Sequence, residues 1–455
     1  MASICAFQGA KLQPNNARKT PTLSINHSLG ASSGVHAAPQ VQRSVQINSH
    51  NRRADIQLGF PEPDQFYAYV DEISDSNGRI DVLGLGQAMI DFSAAVGDNW
   101  LEELEVEKGA RKLISVEERG KILEKLEGES YQITAGGSLS NTLMALSRLG
   151  TAAELQGNPK LNVAMSGLIG SDRLGSFYAA QMKSAGVDVV SPPTDGANTG
   201  TVVVLTSKDA QRTMLSYLGT PAAIPIDPRL EDAISRSSLL VIEGYLWELP
   251  EAGTTIHGAI QAAQRHGTIV AMTAGDAGVV ERHGSEIWEA IDSGIDLLFT
   301  NASEATALVA CAPEGAVPAH AIDVPPSMWS SEAAALALGP HCSLVCVTDG
   351  ANGSILTALG QLHVVPPHWT ETPPIDTCGA GDAYAAGLLF GFMKKLDVTN
   401  MGRVAARAAS AVIARHGATM SQNAAAIVVA ALPAGAQSMS KTFTTSSEVA
   451  AMDGA

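Results

Sequence analysis

The chain is predicted to fold as an α/β domain built on a mostly parallel sheet with helices on both faces. Apolar runs of strand length alternate with longer helix-like runs between about residues 162 and 347, the rhythm of βαβ units. Near the C-terminal end, the glycine-rich turn DTCGAGD (376–382) runs directly into a segment that reads as a helix as far as Phe392. Strand-to-helix turns at the carboxyl ends of strands are where such sheets collect ligands.

The elements follow in order. Residues 55–78 form a polar lead-in, and Ile80–Asp91 reads as a first buried strand followed by a turn, with Asp91 at its end. A charged amphipathic stretch covers Leu101–Leu126. Leu139, Leu143, Leu146 and Leu149 recur at the spacing of one helix face. Strands are expected at Asn162–Ile169, Leu239–Ile242, Thr268–Met272, Asp296–Phe299 and Leu344–Val347. Helices are expected at Gly175–Ala185, Ala252–His266, Glu281–Ser293, Ser303–Ala310 and Ser331–Leu338. The segment 200–219 breaks the rhythm: two strand-like runs flank a polar turn at Lys208–Gln211, predicting a hairpin in a separate small sheet. Four prolines within 311–330 mark an irregular insertion, and the chain from about Pro433 is an Ala/Ser/Thr-rich tail.

Of the 455 residues, 45% are hydrophobic, enough for a sizeable core. A formal charge of −17 argues against a nucleic-acid-binding surface or an anionic membrane partner. The N-terminus differs in kind. Residues 1–54 carry six Lys or Arg, seven Ser and no Asp or Glu, and lack the apolar core of a secretory signal. That composition predicts an organellar transit peptide, for a plastid first and a mitochondrion second. The five cysteines show no CxxC or zinc-type spacing, so they read as buried thiols, apart from Cys378 inside the glycine turn. Cys378 reads as a space-filling residue of the turn, with redox sensitivity as the alternative, since a thiol near a helix N-terminus can have a lowered pKa.

The turn Cys378-Gly379-Ala380-Gly381 has no bulky side chain, so backbone N–H groups can close around an anion at the positive end of the following helix. Asp382 at that junction is badly placed to bind phosphate but well placed to take a proton from a hydroxyl that attacks phosphate. Three further features are expected at strand ends: Asp91, Gly136-Gly137 with Asn141, and Asn301 with Glu304. Taken singly they also fit a turn, a tight bend and a helix cap. Gly84-Leu-Gly86 lacks the third glycine of a dinucleotide fingerprint, and no Walker A sequence is present.

GGSLSNTLMALSRLG (136–150) and DTCGAGDAYAAGLL (376–389) resemble the two signatures of the PfkB, ribokinase-like family of carbohydrate and nucleoside kinases. NASEA (301–305) and VTDGANGS (347–354) are also similar to pieces of that family. The resemblance covers roughly residues 78–425, leaving 426–455 as a low-complexity tail. It implies a three-layer αβα sandwich with a small β lid drawn from about 91–135 and 199–220. It further implies Asp382 as general base and the N–H groups of Gly379, Ala380 and Gly381 as the anion hole. Asp91, Gly136, Gly137 and Asn141 would hold the acceptor; Asn301, Thr348, Gly350 and Gly353 would bind ATP. Glu304 would reach Mg²⁺ through water, and a monovalent cation would lie near Asp376. The 44 residues between Asp91 and Gly136, including Trp100 and Leu101, look like the adenosine-kinase branch, where a lid segment covers an apolar base. The expected reaction is therefore ATP-dependent phosphorylation of a ribose 5′-hydroxyl. A ribose- or fructose-type sugar kinase is the alternative, and a non-catalytic plastid interaction protein is a second class of reading. Oligomeric state is not legible.

Overall fold

In the central strands nearly every residue is buried, because successive side chains point into two different cores. In β9 (Ser237–Ile242), Leu239 and Val241 join one apolar cluster, while Leu240 and Ile242 join the other. β12 (Leu344–Thr348) repeats this, with Leu344 and Cys346 on one side and Val345 and Val347 on the other. A strand apolar on both faces requires a helical layer on each. The computed structural model describes residues 78–432 except 210, 220–222, 318–329, 359 and 371–372. The expected transit peptide, the tail from Pro433 and most of the 311–330 insertion lie outside the described residues.

The large sheet has nine strands in the order β14-β13-β12-β11-β10-β9-β1-β5-β6. Here β1 is Ile80–Gln87, β5 Val163–Leu168, β6 Val187–Val189, β10 Ile269–Thr273, β11 Leu297–Asn301, β13 Ser354–Ala358 and β14 Gln361–Val365. Pairing is parallel from β6 to β12, and the last two strands add an antiparallel edge. One face carries α3 (Ser138–Glu154), α4 (Arg173–Ser184), α10 (Ala380–Met393), α11 (Val398–Ile413) and α12 (Gln422–Ala430). The other carries α5 (Pro228–Ser235), α6 (Ala252–His266), α7 (Ala277–Asp292), α8 (Ala302–Ala310) and α9 (Ser331–Leu338). Because α12 buries Ala424, Ala425, Val428 and Val429, the folded chain extends past residue 425.

The second sheet has five strands in the order β3-β8-β7-β2-β4. They are β2 (Met89–Ala95), β3 (Arg111–Leu113), β4 (Tyr131–Gly136), β7 (Gly200–Thr206) and β8 (Arg212–Tyr217), so the expected hairpin does build a separate sheet. The chain enters it directly from β1 through Ala88. This corrects the reading of Asp91: it does not end the first strand but lies within the second, one sheet further on. The difference arises because a single residue separates the two strands and the one polar residue at the crossing, Gln87, is itself buried and marks no turn.

Strand alternation gives this lid two distinct faces. Ile90, Phe92 and Ala94, in register with Thr201, Val203 and Leu205, share a core with Leu215 and with Trp100, Leu101, Ile114, Ile122 and Leu126. Those last residues come from α1 (Asp98–Glu103), α2 (Val116–Leu126) and the links beside them. Asp91 lies on the opposite face, in register with Val202 and Thr134. Trp100 is 5% exposed, donates Nε1–H to Glu129 Oε1 at 3.1 Å and lies under the Lys125 ammonium. Trp100 and Leu101 therefore cover the back of the lid and do not line an acceptor site, contrary to the sequence expectation.

Candidate active site

Two helix N-termini meet at one carboxylate. Asp382 is the third residue of α10, and its Oδ1 accepts the Ser138 hydroxyl at 2.7 Å while Oδ2 accepts the Asn141 amide at 3.0 Å. Thr142 Oγ1 also donates to the Asp382 carbonyl at 3.3 Å. Gly379 caps α10 in the left-handed region at φ 72°, which points the first N–H groups of the helix outward together. The Ala380 N–H has a long bond of 3.3 Å to the Thr377 carbonyl. Gly381 has open space around it.

Asp91 approaches from the lid. A Cβ on Gly136 would come within 2.2–2.3 Å of all three carboxyl atoms of Asp91, so this glycine exists at the spot the carboxylate needs. Gly137, at φ 88°, turns the chain from β4 into α3 and brings Asn141 to Asp382. Burial raises Asp382 from the usual carboxylate range to about 6, with the Ser138 and Asn141 hydrogen bonds and the Arg111 charge pulling the other way. Asp91 is pushed further, to about 7, by burial and then by the charge of Asp382. The charge of Asp382 thus favours the protonated form of Asp91.

The sequence reading did not single out Glu243 as a site residue. It follows β9, is 3% exposed, and accepts the Gln87 N–H at 3.0 Å and the Leu139 N–H at 3.2 Å. It thereby ties the ends of β1 and β9 to the first turn of α3. Burial raises it to about 7. The available signal was an acid directly after the apolar run Leu239–Ile242. Ser138 and the lid arginines Arg111 and Arg212 were also missed; all three act across long stretches of sequence. Arg111 donates to Tyr245 Oη at 3.2 Å and lies 3.7 Å from Asp276, and Arg212 pairs with Asp376.

Asn301 and Glu304 form a reciprocal cap on α8: the Glu304 N–H reaches Asn301 Oδ1 and the Asn301 N–H reaches Glu304 Oε2, each at 2.9 Å. Capping explains their conformation. Their position adds more, because Glu304 rises to about 7 through burial, with Asp276 and Asp382 adding to the rise. Among the described residues no group of three or more His, Cys, Asp or Glu side chains is arranged to hold a metal ion directly. Thr348 stands opposite Asn301 at the end of β12, and Gly350 and Gly353 shape the turn that follows. Gly353 passes so close to β14 that a Cβ would meet the Val365 carbonyl at 2.2 Å.

The surroundings of Cys378 disfavour the redox-sensitive alternative. Burial raises its thiol pKa, Asp382 and Asp91 raise it further, and Arg212 and Arg111 offset only part of this. Poor solvation and the neighbouring acids therefore disfavour the thiolate more than the helix end favours it.

A mostly parallel sheet, a glycine turn that opens a helix beside a buried carboxylate and a second, smaller sheet are the features of a small-molecule phosphotransferase. The profile of the pfkB family of carbohydrate kinases matches residues 110–425, and the chain belongs to that family. It is thus a kinase that transfers phosphate from ATP to a hydroxyl group on a ribokinase-like fold. Among solved structures it is similar to the adenosine kinase from Sinorhizobium meliloti, with TM-score 0.64 and 30% identity, covering 78% of this chain and all of that one. It is 24% identical over 294 residues to 5-dehydro-2-deoxygluconokinase of Geobacillus thermodenitrificans, covering 62% of this chain and 79% of the relative. It is also 24% identical over 315 residues to ribokinase of Haemophilus influenzae, covering 69% and 92% respectively.

Proposed function

We propose that this kinase phosphorylates the primary hydroxyl of a nucleoside, at the ribose 5′ position. The observation that carries the chemistry is Asp382, held by Ser138 and Asn141 at the mouth of the α10 cradle and facing Asp91. Asp382 takes the proton of the acceptor hydroxyl as that oxygen attacks phosphorus. The N–H groups at the start of α10, from Gly379 to Gly381, receive the charge that develops on the transferring group. Asp91 and Asn141 hold the ribose hydroxyls, in the space that Gly136 and Gly137 leave. Asn301, Thr348, Gly350 and Gly353 form the ATP side. Glu304 suits Mg²⁺ held through water, and that ion would supply charge neutralisation along the phosphates.

The nucleoside reading is supported by the site face of the lid, where Val202, Val204 and Met214 align beside Asp91 and offer an apolar bed for a base. The likeness to an adenosine kinase supports it too. The sugar-kinase reading has its own support in the named relatives. ATP consumption against a panel of nucleosides, sugars and sugar acids separates the two. Turnover restricted to sugars or sugar acids overturns the nucleoside assignment, and turnover with none favours a non-catalytic role. The acid-free segment 1–54 supports delivery to a plastid. Fusing residues 1–77 to a fluorescent protein tests it, with mitochondrial or cytosolic signal counting against it.

Two measurements address the roles. A Cβ at Gly136 must displace the Asp91 carboxylate, so Gly136→Ala is expected to raise the acceptor KM by about tenfold, with a smaller change in kcat. An unchanged KM would remove Asp91 from the acceptor site. The general base works ionised, so kcat/KM should rise with pH through about 6 and fall away below it. Ser138→Ala deletes a hydrogen bond that favours the ionised form and should move this limb to higher pH. A limb that stays in place in that variant would count against Asp382 as the titrating base.

A further inference from the structure

Asp376 opens the glycine turn, and its carboxylate is fully engaged. Oδ1 accepts the Cys378 N–H at 2.7 Å, Oδ2 accepts the Gly417 N–H at 3.0 Å, and the Arg212 guanidinium pairs with Oδ1. The pair is sheltered, with Arg212 and Asp376 side chains 18% and 10% exposed. The groups on this one carboxylate belong to three separate parts of the chain. Arg212 opens β8 of the lid, Cys378 belongs to the cradle, and Gly417 lies in the loop after α11. The same loop supports the cradle from beneath, since Ala418 is the residue that a Cβ on Gly379 would strike.

A carboxylate held this close to an anion cradle would repel an incoming phosphate unless a positive charge neutralised it. The expected monovalent cation does not fit that carboxylate, because a guanidinium already supplies the charge, and supplies it with directed donors. We propose that Arg212 is a positioning residue: lid closure places its guanidinium on Asp376 and fixes the glycine turn in its anion-binding shape, so that turnover needs no K⁺ or Na⁺. Lid and cradle then become ready together, and the cradle is least ordered when the lid is open.

The turnover part rests on the kinase reading; the ordering of the turn does not. The full chain is assayed with tetramethylammonium as the sole monovalent cation and again with K⁺. Amide hydrogen exchange over residues 376–383 is followed in wild type, Arg212→Ala, Arg212→Lys and Asp376→Asn. Wild-type kcat is expected to change by less than about twofold on adding K⁺, a shift attributable to ionic screening alone. Arg212→Ala should lose about tenfold or more in kcat, exchange faster across the turn, and regain part of both with added guanidinium. Arg212→Lys should fall between, keeping the charge but losing the fork. Asp376→Asn keeps a side-chain acceptor and should loosen the turn as Arg212→Ala does, which gives the same reading if Arg212→Ala does not fold. A strong K⁺ requirement in wild type overturns the proposal, as does exchange unchanged in both Arg212→Ala and Asp376→Asn. If no acceptor is phosphorylated, the kinase reading fails while the exchange comparison still decides the role of Arg212.

Discussion

Asp382→Asn is expected to lower kcat by roughly 10²–10⁴-fold, the usual contribution of a positioned base. Nucleotide affinity and melting temperature should change little. The amide retains an oxygen that can accept from Ser138 or Asn141, so the meeting of α3 and α10 survives. Removing a carboxylate whose pKa is raised to about 6 also relieves a buried charge. The folded state holds this proton more tightly than the unfolded chain does. Stability from this group is therefore present below the unfolded value of 3.8 and lost as pH rises through about 6. The variant should accordingly gain stability over wild type at pH 8 and not at pH 3.5. Calorimetric titration with ATP and a thermal melt at the two pH values check the second half, and steady-state turnover checks the first. Near-normal turnover in Asp382→Asn would end the mechanism.

Gly379→Ala should be nearly as damaging, with kcat down about 10²–10³-fold, the range found when one preorganised donor of an anion hole is lost. Two faults combine. The residue sits at φ 72°, where a side chain is strained, and its Cβ would come 2.2 Å from the Ala418 carbonyl. The turn must move, and the first N–H groups of α10 move with it. Gly381→Ala is the internal control. Nothing lies within 4 Å of a Cβ there, and the backbone is helical. It should fold like wild type, and any loss should appear at the phosphate itself. Equal melting temperatures for Gly379→Ala and wild type, together with equal turnover, would show that the turn is not held in place by Ala418.

The alternation of apolar strands and amphipathic helices is local, so the α/β layering was legible from residues such as Leu239–Ile242 and Leu344–Val347. The hairpin at 200–217 was equally plain, since a polar turn between two strand-like runs needs no distant partner to be recognised. Asp91 shows the limit. Its role was expected from a strand-end position and from the family resemblance, but its strand was misread because only Ala88 separates the two strands and the polar Gln87 before it is buried. Trp100 and Leu101 were expected over a base. Their burial on the back of the lid depends on which way β2 presents Phe92, a matter of register that amphipathic spacing in α2 does not reveal.

The sequence by itself determined the layered fold, the glycine turn running into α10, and the carboxylate at their junction. Each is written within one contiguous run of residues, where helix geometry and glycine's freedom decide the outcome. The tertiary structure alone decided what surrounds that carboxylate. Ser138 and Asn141 reach Asp382 across more than 240 positions, Glu243 ties β9 to α3, and Arg212 of the second sheet pairs with Asp376 at the start of the glycine turn. Charges and hydrogen bonds act through space, and no periodicity along the chain encodes which distant partner a buried acid will face.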